Sequence, residues 1–329
     1  METLMTTSTI VPMTLGDIFD RLFKLIGKTW IRNLILASII LIIPVIIMSF
    51  GVEAMFSSIA AIAKQNETGN PLSPEELFSM FGGMAWSCLG FLAILVGSAA
   101  ATLGVTMVGC AETSGLTMTW QEALKRSFGV RLARLLGLYI VQGAVFIALF
   151  FPPYILLIIA IATRSIALGL LAGLLLFACV LVVIFLFIRW AFTVPAIAWE
   201  DLHIMNGFRR SWALVKDHWW RVFGILLLMG IMLSFAVSLI MTPVYVAALW
   251  KFFTSYFDTI GSMGSRQIDP SVFLEGFSSV GFAIGLASGL GSLLQMLVAP
   301  LYVVVLYFDL RARKNEFSGE SASEVQPLV

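Results

Sequence analysis

Six apolar runs punctuate the chain, at roughly 33 to 51, 85 to 110, 133 to 151, 167 to 198, 222 to 250 and 279 to 307. Each meets or approaches the ~20 residues that cross about 30 Å of hydrocarbon at ~1.5 Å per residue. Leu, Ile, Val, Ala and Phe follow one another without the period-two alternation of outer-membrane strands, so helices remain the way to satisfy the backbone in lipid. The fourth and fifth runs exceed the need and are expected to tilt, kink or extend into the interface. The pattern predicts an all-α polytopic membrane protein with six transmembrane helices.

A short phrase recurs before the odd-numbered runs: Phe19-Asp20-Arg21-Leu22-Phe23, Leu124-Lys125-Arg126-Ser127-Phe128 and Phe208-Arg209-Arg210-Ser211-Trp212. In each, a large apolar residue stands two places either side of an arginine. The chain therefore reads as three repeated units, each an interfacial amphipathic helix followed by a transmembrane hairpin, at about 13–112, 118–201 and 203–313. They form one integral membrane domain, 1–316, with 317–329 expected as a disordered cytoplasmic tail. Thr14 before Asp17 and Thr119 before Glu122 fit capping boxes; the third start is weaker, with His203 at the equivalent place and Asp201 the better cap. Trp30, Trp120, Trp199, Trp212, Trp219 and Trp220 fit an aromatic belt at the same level.

The outer connections of the first and third units are long and carry helix starts at Ser73-Pro74 and Asp269-Pro270, whereas the middle one is short, centred near Pro152, Pro153 and Arg164. Pro44, Pro152 with Pro153, and Pro243 are expected to kink or break the odd spans. Matched breaks can mark a transporter's site, although these bring almost no ionisable groups with them. Small residues stand four apart in the even spans: Ala100 and Gly104, Gly169 and Gly173, and Gly281, Gly285 and Gly289. That spacing suits close packing of the even spans at the centre; it also suits the general abundance of small residues in membrane helices.

Composition removes the soluble alternatives. With 60% hydrophobic and 12% charged residues and a mean hydropathy of +0.98, the chain departs from soluble domains, in which about 25% are charged. The net charge of +1 offers no field for nucleic acid. All Lys and Arg residues except Lys64, Arg164, Lys251 and Arg266 fall on one side of the six-span topology, which by the positive-inside rule places both termini in the cytoplasm, the expected site being the cell inner membrane. The first thirty residues contain Asp17, Asp20 and Arg21 and do not read as a removable signal peptide. Asn66-Glu67-Thr68 matches a glycosylation sequon on the outer side, of no meaning in a prokaryotic chain. Cys88, Cys110 and Cys179 lie in or beside apolar runs and read as packing residues.

Candidate chemistry is sparse. His203 and His218 match no metal-ligand spacing with Glu200, Asp201 or Asp217, and neither a phosphate loop nor a nucleophile elbow occurs, so no catalytic set, metal or cofactor is expected. Arg189, Gln142 and Gln295 are the main intramembrane polar candidates, beside Ser98, Thr102 and Thr106. Arg189 either faces the bundle as a functional charge or snorkels to the headgroups. Acidic residues recur where even spans end: Glu112, Glu200 with Asp201, and Asp309. Paired with Arg21, Arg126, Arg210 and Arg311, they suggest a ring of interfacial ion pairs joining one unit to the next.

Val194-Pro195-Ala196-Ile197-Ala198-Trp199-Glu200, Phe208 through Lys216, and Leu306-Tyr307-Phe308-Asp309-Leu310-Arg311-Ala312-Arg313 together resemble a prokaryotic family, the membrane domain of glycerophosphoryl diester phosphodiesterase. The resemblance extends over essentially the whole chain. It implies a multi-pass membrane protein, with hydrolysis belonging to a separate soluble domain that is sometimes fused to it; the longest polar stretches here are too short for such a domain. The expected protein is a non-enzymatic scaffold or accessory in membrane lipid or envelope processes, partnered by membrane lipids and by other membrane proteins. A small transporter or channel, with a path near Arg189, Gln142 and Gln295, is the alternative.

Overall fold

Helix starts and stops are set by short local motifs. The structure, a computed structural model, describes residues 12–68, 74–263, 276–277 and 279–316. They form α1 (Leu15–Thr68), α2 (Pro74–Thr113), α3 (Trp120–Ser127), α4 (Val130–Ala162), α5 (Ile166–Trp190), α6 (Thr193–Trp199), α7 (Ile204–Val215), α8 (Trp219–Met263) and α9 (Gly281–Arg313), with no strand among the described residues. Among the described residues, six stretches are long and apolar enough to span a membrane: Leu15–Ile62, Phe81–Thr113, Val130–Ala162, Ile166–Trp199, Trp219–Asp258 and Gly281–Arg313. Ser73, the start at Asp269-Pro270 and the tail 317–329 lie outside the described residues.

The second and third arginine phrases occupy short helices of their own, α3 and α7. Thr119 accepts from the Glu122 N–H while the Glu122 carboxylate accepts from the Thr119 N–H, closing a capping box; Phe128 is then extended and Gly129 takes φ +105°, which stops α3 before α4 begins. The first phrase differs. Thr14 and Asp17 bond reciprocally, but no turn follows, and Arg21 lies in the opening turns of a 54-residue helix. Gly27 is the one glycine between the phrase and the apolar run, and it stays helical.

The prolines do not break their helices: α1 runs on through Pro44, α4 through Pro152 and Pro153, α8 through Pro243, and α9 through Pro300. The middle outer connection is consequently only Thr163 to Ser165, turned by Arg164 at φ +51° and capped by Ser165 accepting from the Leu168 N–H. The excess length of the fourth run is resolved by a break at Ala191 and Phe192 between α5 and α6. That break is buried, and Ser211 of α7 serves it: its hydroxyl donates to the Arg189 carbonyl at 2.7 Å and accepts from the Phe192 N–H at 3.1 Å. Buried backbone groups cut from a helix ladder need such a partner.

The helices divide into two compact units. Unit 1 comprises the described parts of Met1–Thr29, Thr106–Met229 and Pro300–Val329; unit 2 comprises those of Trp30–Val105 and Gly230–Ala299.

Unit 2 is packed through glycine. On α2, Gly83, Gly90 and Gly97 face α1 at seven-residue intervals; a Cβ at Gly90 would lie 2.9 Å from the Met48 Cα and one at Gly97 2.8 Å from the Pro44 ring. The Ser87 hydroxyl, on the same face, donates to the Gly51 carbonyl at 2.7 Å. On α9, Gly281, Gly285 and Gly289 face α1 as well: a Cβ at Gly285 would stand 2.5 Å from the Ser49 Cα, and one at Gly281 2.7 Å from the Glu53 Cα. The glycine series of the sixth span therefore grips the first span, an odd one, whereas the sequence suggested even spans packed together. Gly169 and Gly173 of α5 would meet nothing within 4 Å, so their spacing reflects composition.

Unit 1 buries α6 almost whole: Thr193, Pro195, Ala196, Ile197 and Ala198 are inaccessible. Gly207 of α7 lets that helix close on Thr193 and Ile197, and Gly109 of α2 receives Leu301 and Val304 of α9. Val305, Leu306, Tyr307 and Phe308 fill the remaining interior. By contrast, Ile140, Ile147, Ile166, Leu170, Leu174 and Phe187 on α4 and α5 are exposed, the surface that lipid covers in a spanning hairpin.

Candidate functional site

The charged residues of unit 1 converge where α9 ends. Asn315 adopts φ +58°, and the Glu316 N–H bonds back to the Arg311 carbonyl at 3.2 Å while the Asn315 N–H bonds to Ala312 at 3.0 Å. This is a left-handed helix cap, a conformation asparagine tolerates well. The reversal returns the Glu316 carboxylate to the helix that precedes it. There it accepts from Arg311 Nε at 2.8 Å and from Arg210 Nη1 and Nη2 at 2.7 and 2.6 Å.

Arg210 is the hub. Its Nε and Nη2 also reach Glu200 at 3.0 Å, so one guanidinium forks to two carboxylates, one from the end of α6 and one beyond α9. The Tyr307 hydroxyl donates to Glu200 Oε1, and Arg311 Nη1 lies 3.6 Å from the same oxygen. Arg311 is 1% exposed. Bidentate guanidinium pairing of this kind combines charge with fixed geometry. Burial works against the Arg210 charge, but the bonds to Glu316 and Glu200 prevail and raise its proton affinity above that of an ordinary arginine. Burial likewise pushes the Glu316 carboxyl up, and Arg210 with Arg311 more than reverse this, holding it below its usual range.

A second knot ties the N-terminal segment. The Met13 N–H donates to Asp309 Oδ1 at 2.7 Å, and the Met13 carbonyl accepts from Arg313 at 2.6 Å and Arg221 at 2.8 Å. Asp309, fully buried, also binds Arg313 at 3.0 Å and Arg221 at 3.3 Å. Arg21 donates to the Thr113 carbonyl at 3.4 Å, and Glu112 lies 3.6 Å from Lys28 Nζ. Among the three span-end acids, then, Glu200 meets an arginine of the repeated phrase, Arg210. Asp309 instead meets Arg221 and Arg313. Arg126 is exposed and lines an open pocket of about 370 Å³ with Phe128, Val130, Arg131, Arg134 and Asp201.

Arg189 stands in the last turn of α5. Its guanidinium lies 4.6 Å from the centre of the Trp212 ring and 5.3 Å from that of Phe185, and Nη1 donates to the Trp212 carbonyl at 3.3 Å. Cation and indole face are attracted in this geometry. Gln142 on α4 is half-buried in unit 1, and Gln295 on α9 is exposed in unit 2. A second open pocket, of about 440 Å³, is lined by Phe50, Glu53, Ala54, Ser57 and Trp86 of unit 2.

Glu316, Tyr307 and Arg221 are the partners that sequence reasoning missed as site residues. Glu316 is the last residue of the expected membrane domain and carried no expected role; the cap at Asn315 turns its carboxylate back onto Arg210 and Arg311. Glu53 escaped notice because the first apolar run was ended at residue 51, although α1 continues past it. Chemically, each guanidinium of the Glu200 cluster faces carboxylates, so the arrangement clamps helices and stores no free nucleophile or base.

Residues 158–299 match a family model described as the membrane domain of glycerophosphoryl diester phosphodiesterase, and no other domain is matched. The match takes in the phrases at 194–200 and 208–216 and stops before 306–313, a narrower reach than the resemblance read from the sequence. No curated protein and no solved structure matches the chain.

Proposed function

We propose that this chain is a non-enzymatic, multi-pass scaffold or accessory protein serving lipid or envelope processes, seated in a cell inner membrane with both termini cytoplasmic. The observation that carries this reading is the neutralisation of Glu200, Glu316, Arg210 and Arg311 by one another, a use of charge that fixes a surface in place and leaves no group poised for chemistry. The family match to a membrane domain, without the catalytic one, supports the same reading. So does the engagement of Arg189 by Trp212 and Phe185, which fits a residue drawn to the headgroup level. In this view the units at 13–112, 118–201 and 203–313 are repeats, each led in by a basic amphipathic segment on the cytoplasmic face.

Affinity purification in mild detergent, with identification of the proteins and lipids that accompany the chain, tests it. A reproducible set of envelope proteins is expected. Small-molecule flux in liposomes that is lost in Arg189→Gln would overturn the scaffold in favour of a transporter or channel.

A further inference from the structure

The pocket beside Arg126 is not explained by the clamp. It opens where α3 gives way to α4, with Arg126 on the former and Arg131 and Arg134, three apart and so on one face, at the start of the latter. Asp201 is the one carboxylate among the lining residues, against three guanidiniums. Asp201 takes φ +52°, and its Oδ1 accepts from Arg131 Nε at 3.1 Å and from Arg134 Nη1 at 2.9 Å. Arg134 Nη1 also donates to the Asp201 carbonyl at 2.9 Å, so among the described residues both Nη groups of Arg131 and Nη2 of Arg134 make no hydrogen bond, and Arg134 Nε is buried without a hydrogen-bond partner. Arg126 makes no hydrogen bond or ion pair among the described residues.

The rim has a different character. Phe128 is 50% and Val130 67% exposed, and they stand beside the arginines at the mouth of an apolar hairpin. A surplus of positive charge, donors in fork geometry and exposed apolar side chains alongside them match one kind of ligand: a phosphate group carried on acyl chains. The unfilled N-terminus of α4, where Gly129 supplies no side-chain cap, adds its dipole in the same sense.

We infer that this pocket binds the phosphate of an anionic membrane phospholipid, with Arg126, Arg131 and Arg134 on the phosphate oxygens, Asp201 holding two of them in position, and Phe128 and Val130 against the acyl chains. The inference rests on the scaffold reading only in placing this end of α4 at a membrane surface.

The test is native mass spectrometry of the full chain in detergent, titrated with phosphatidylglycerol, with phosphatidylcholine of the same acyl chains, and with inorganic phosphate. Phosphatidylglycerol is expected to bind about tenfold more tightly than phosphatidylcholine. Arg126→Gln and Arg131→Gln should each weaken it about tenfold, the size of one lost charge-assisted hydrogen bond, while Arg126→Lys retains most of the binding and Lys251→Gln all of it. Arg126 is exposed and unpaired, so its variants keep the fold. Undiminished phosphatidylglycerol binding by Arg126→Gln would overturn the site, and inorganic phosphate competing at equal concentration would overturn the lipid as its ligand. Either outcome, found with an unchanged set of co-purifying proteins, would leave the scaffold standing.

Discussion

In unit 2, helix backbones touch: α2 and α9 close on α1 through Gly83, Gly90, Gly97, Gly281, Gly285 and Gly289. In unit 1 the decisive ties are ionic, with Arg311 and Asp309 fully buried and each held by partners from distant segments. Both units are built from the same apolar helices, and the difference follows from where polar groups occur. Lipid supplies no hydrophobic drive between helices, so the more apolar region gains cohesion from close van der Waals approach, which glycine permits. The region that holds chain ends and interhelical turns carries charges that must be satisfied once buried, and satisfying them joins helix to helix.

The contrast predicts graded consequences. Arg311→Met should cost most, about 3–5 kcal/mol, because it removes a buried partner from Glu200 and Glu316 and leaves both carboxylates to Arg210; thermal unfolding of the detergent-solubilised protein measures it. Gly285→Ala should follow at about 1–3 kcal/mol by overpacking against the Ser49 backbone, while Gly169→Ala, facing open space, should leave the melting temperature unchanged or slightly higher. A large loss at Gly169 would break the assignment of close packing to unit 2. Reversing both Glu200→Arg and Arg210→Glu should recover only part of the loss seen for either alone, with a coupling of about 1–2 kcal/mol, since Glu316 and Arg311 keep their original signs.

Acidification should release the Glu316 turn. A carboxyl whose folded pKa lies below its unfolded value stabilises fully above the unfolded value, about 4.3, and that contribution is lost as pH falls through the folded one. Proteolysis after residue 313 should therefore increase below about pH 4, and Glu316→Gln should show the increase already at neutral pH. Asp217→Asn should matter least. Its pair with Lys314 at 2.9 Å is exposed, and its loss should leave the melting temperature essentially unchanged.

Sequence reading reached the membrane class and six spans because hydropathy is a local, additive property of each segment. It reached the caps at Thr14 and Thr119 because three-residue spacing is local too. It also paired Glu200 with Arg210, ten residues apart, one capping α6 and the other in the middle of α7. It missed Glu316, whose role depends on a left-handed residue at 315, and it sent the α9 glycines to the wrong partner, because spacing tells which face is small and not which helix meets it.

The sequence by itself thus determined that this chain crosses a membrane and where α1 and α3 begin, since apolar length and capping residues act within a few turns; at α7 it favoured Asp201, and the cap is His203. Only the tertiary structure decided that α5 breaks before α6 with Ser211 serving the gap, that Met13 is bound by Asp309 almost three hundred positions away, and that Arg131 and Arg134 share Asp201 beside an open pocket. Such outcomes depend on burial, and whether a charge or a cut backbone is buried is settled by the neighbours that the folded chain brings to it.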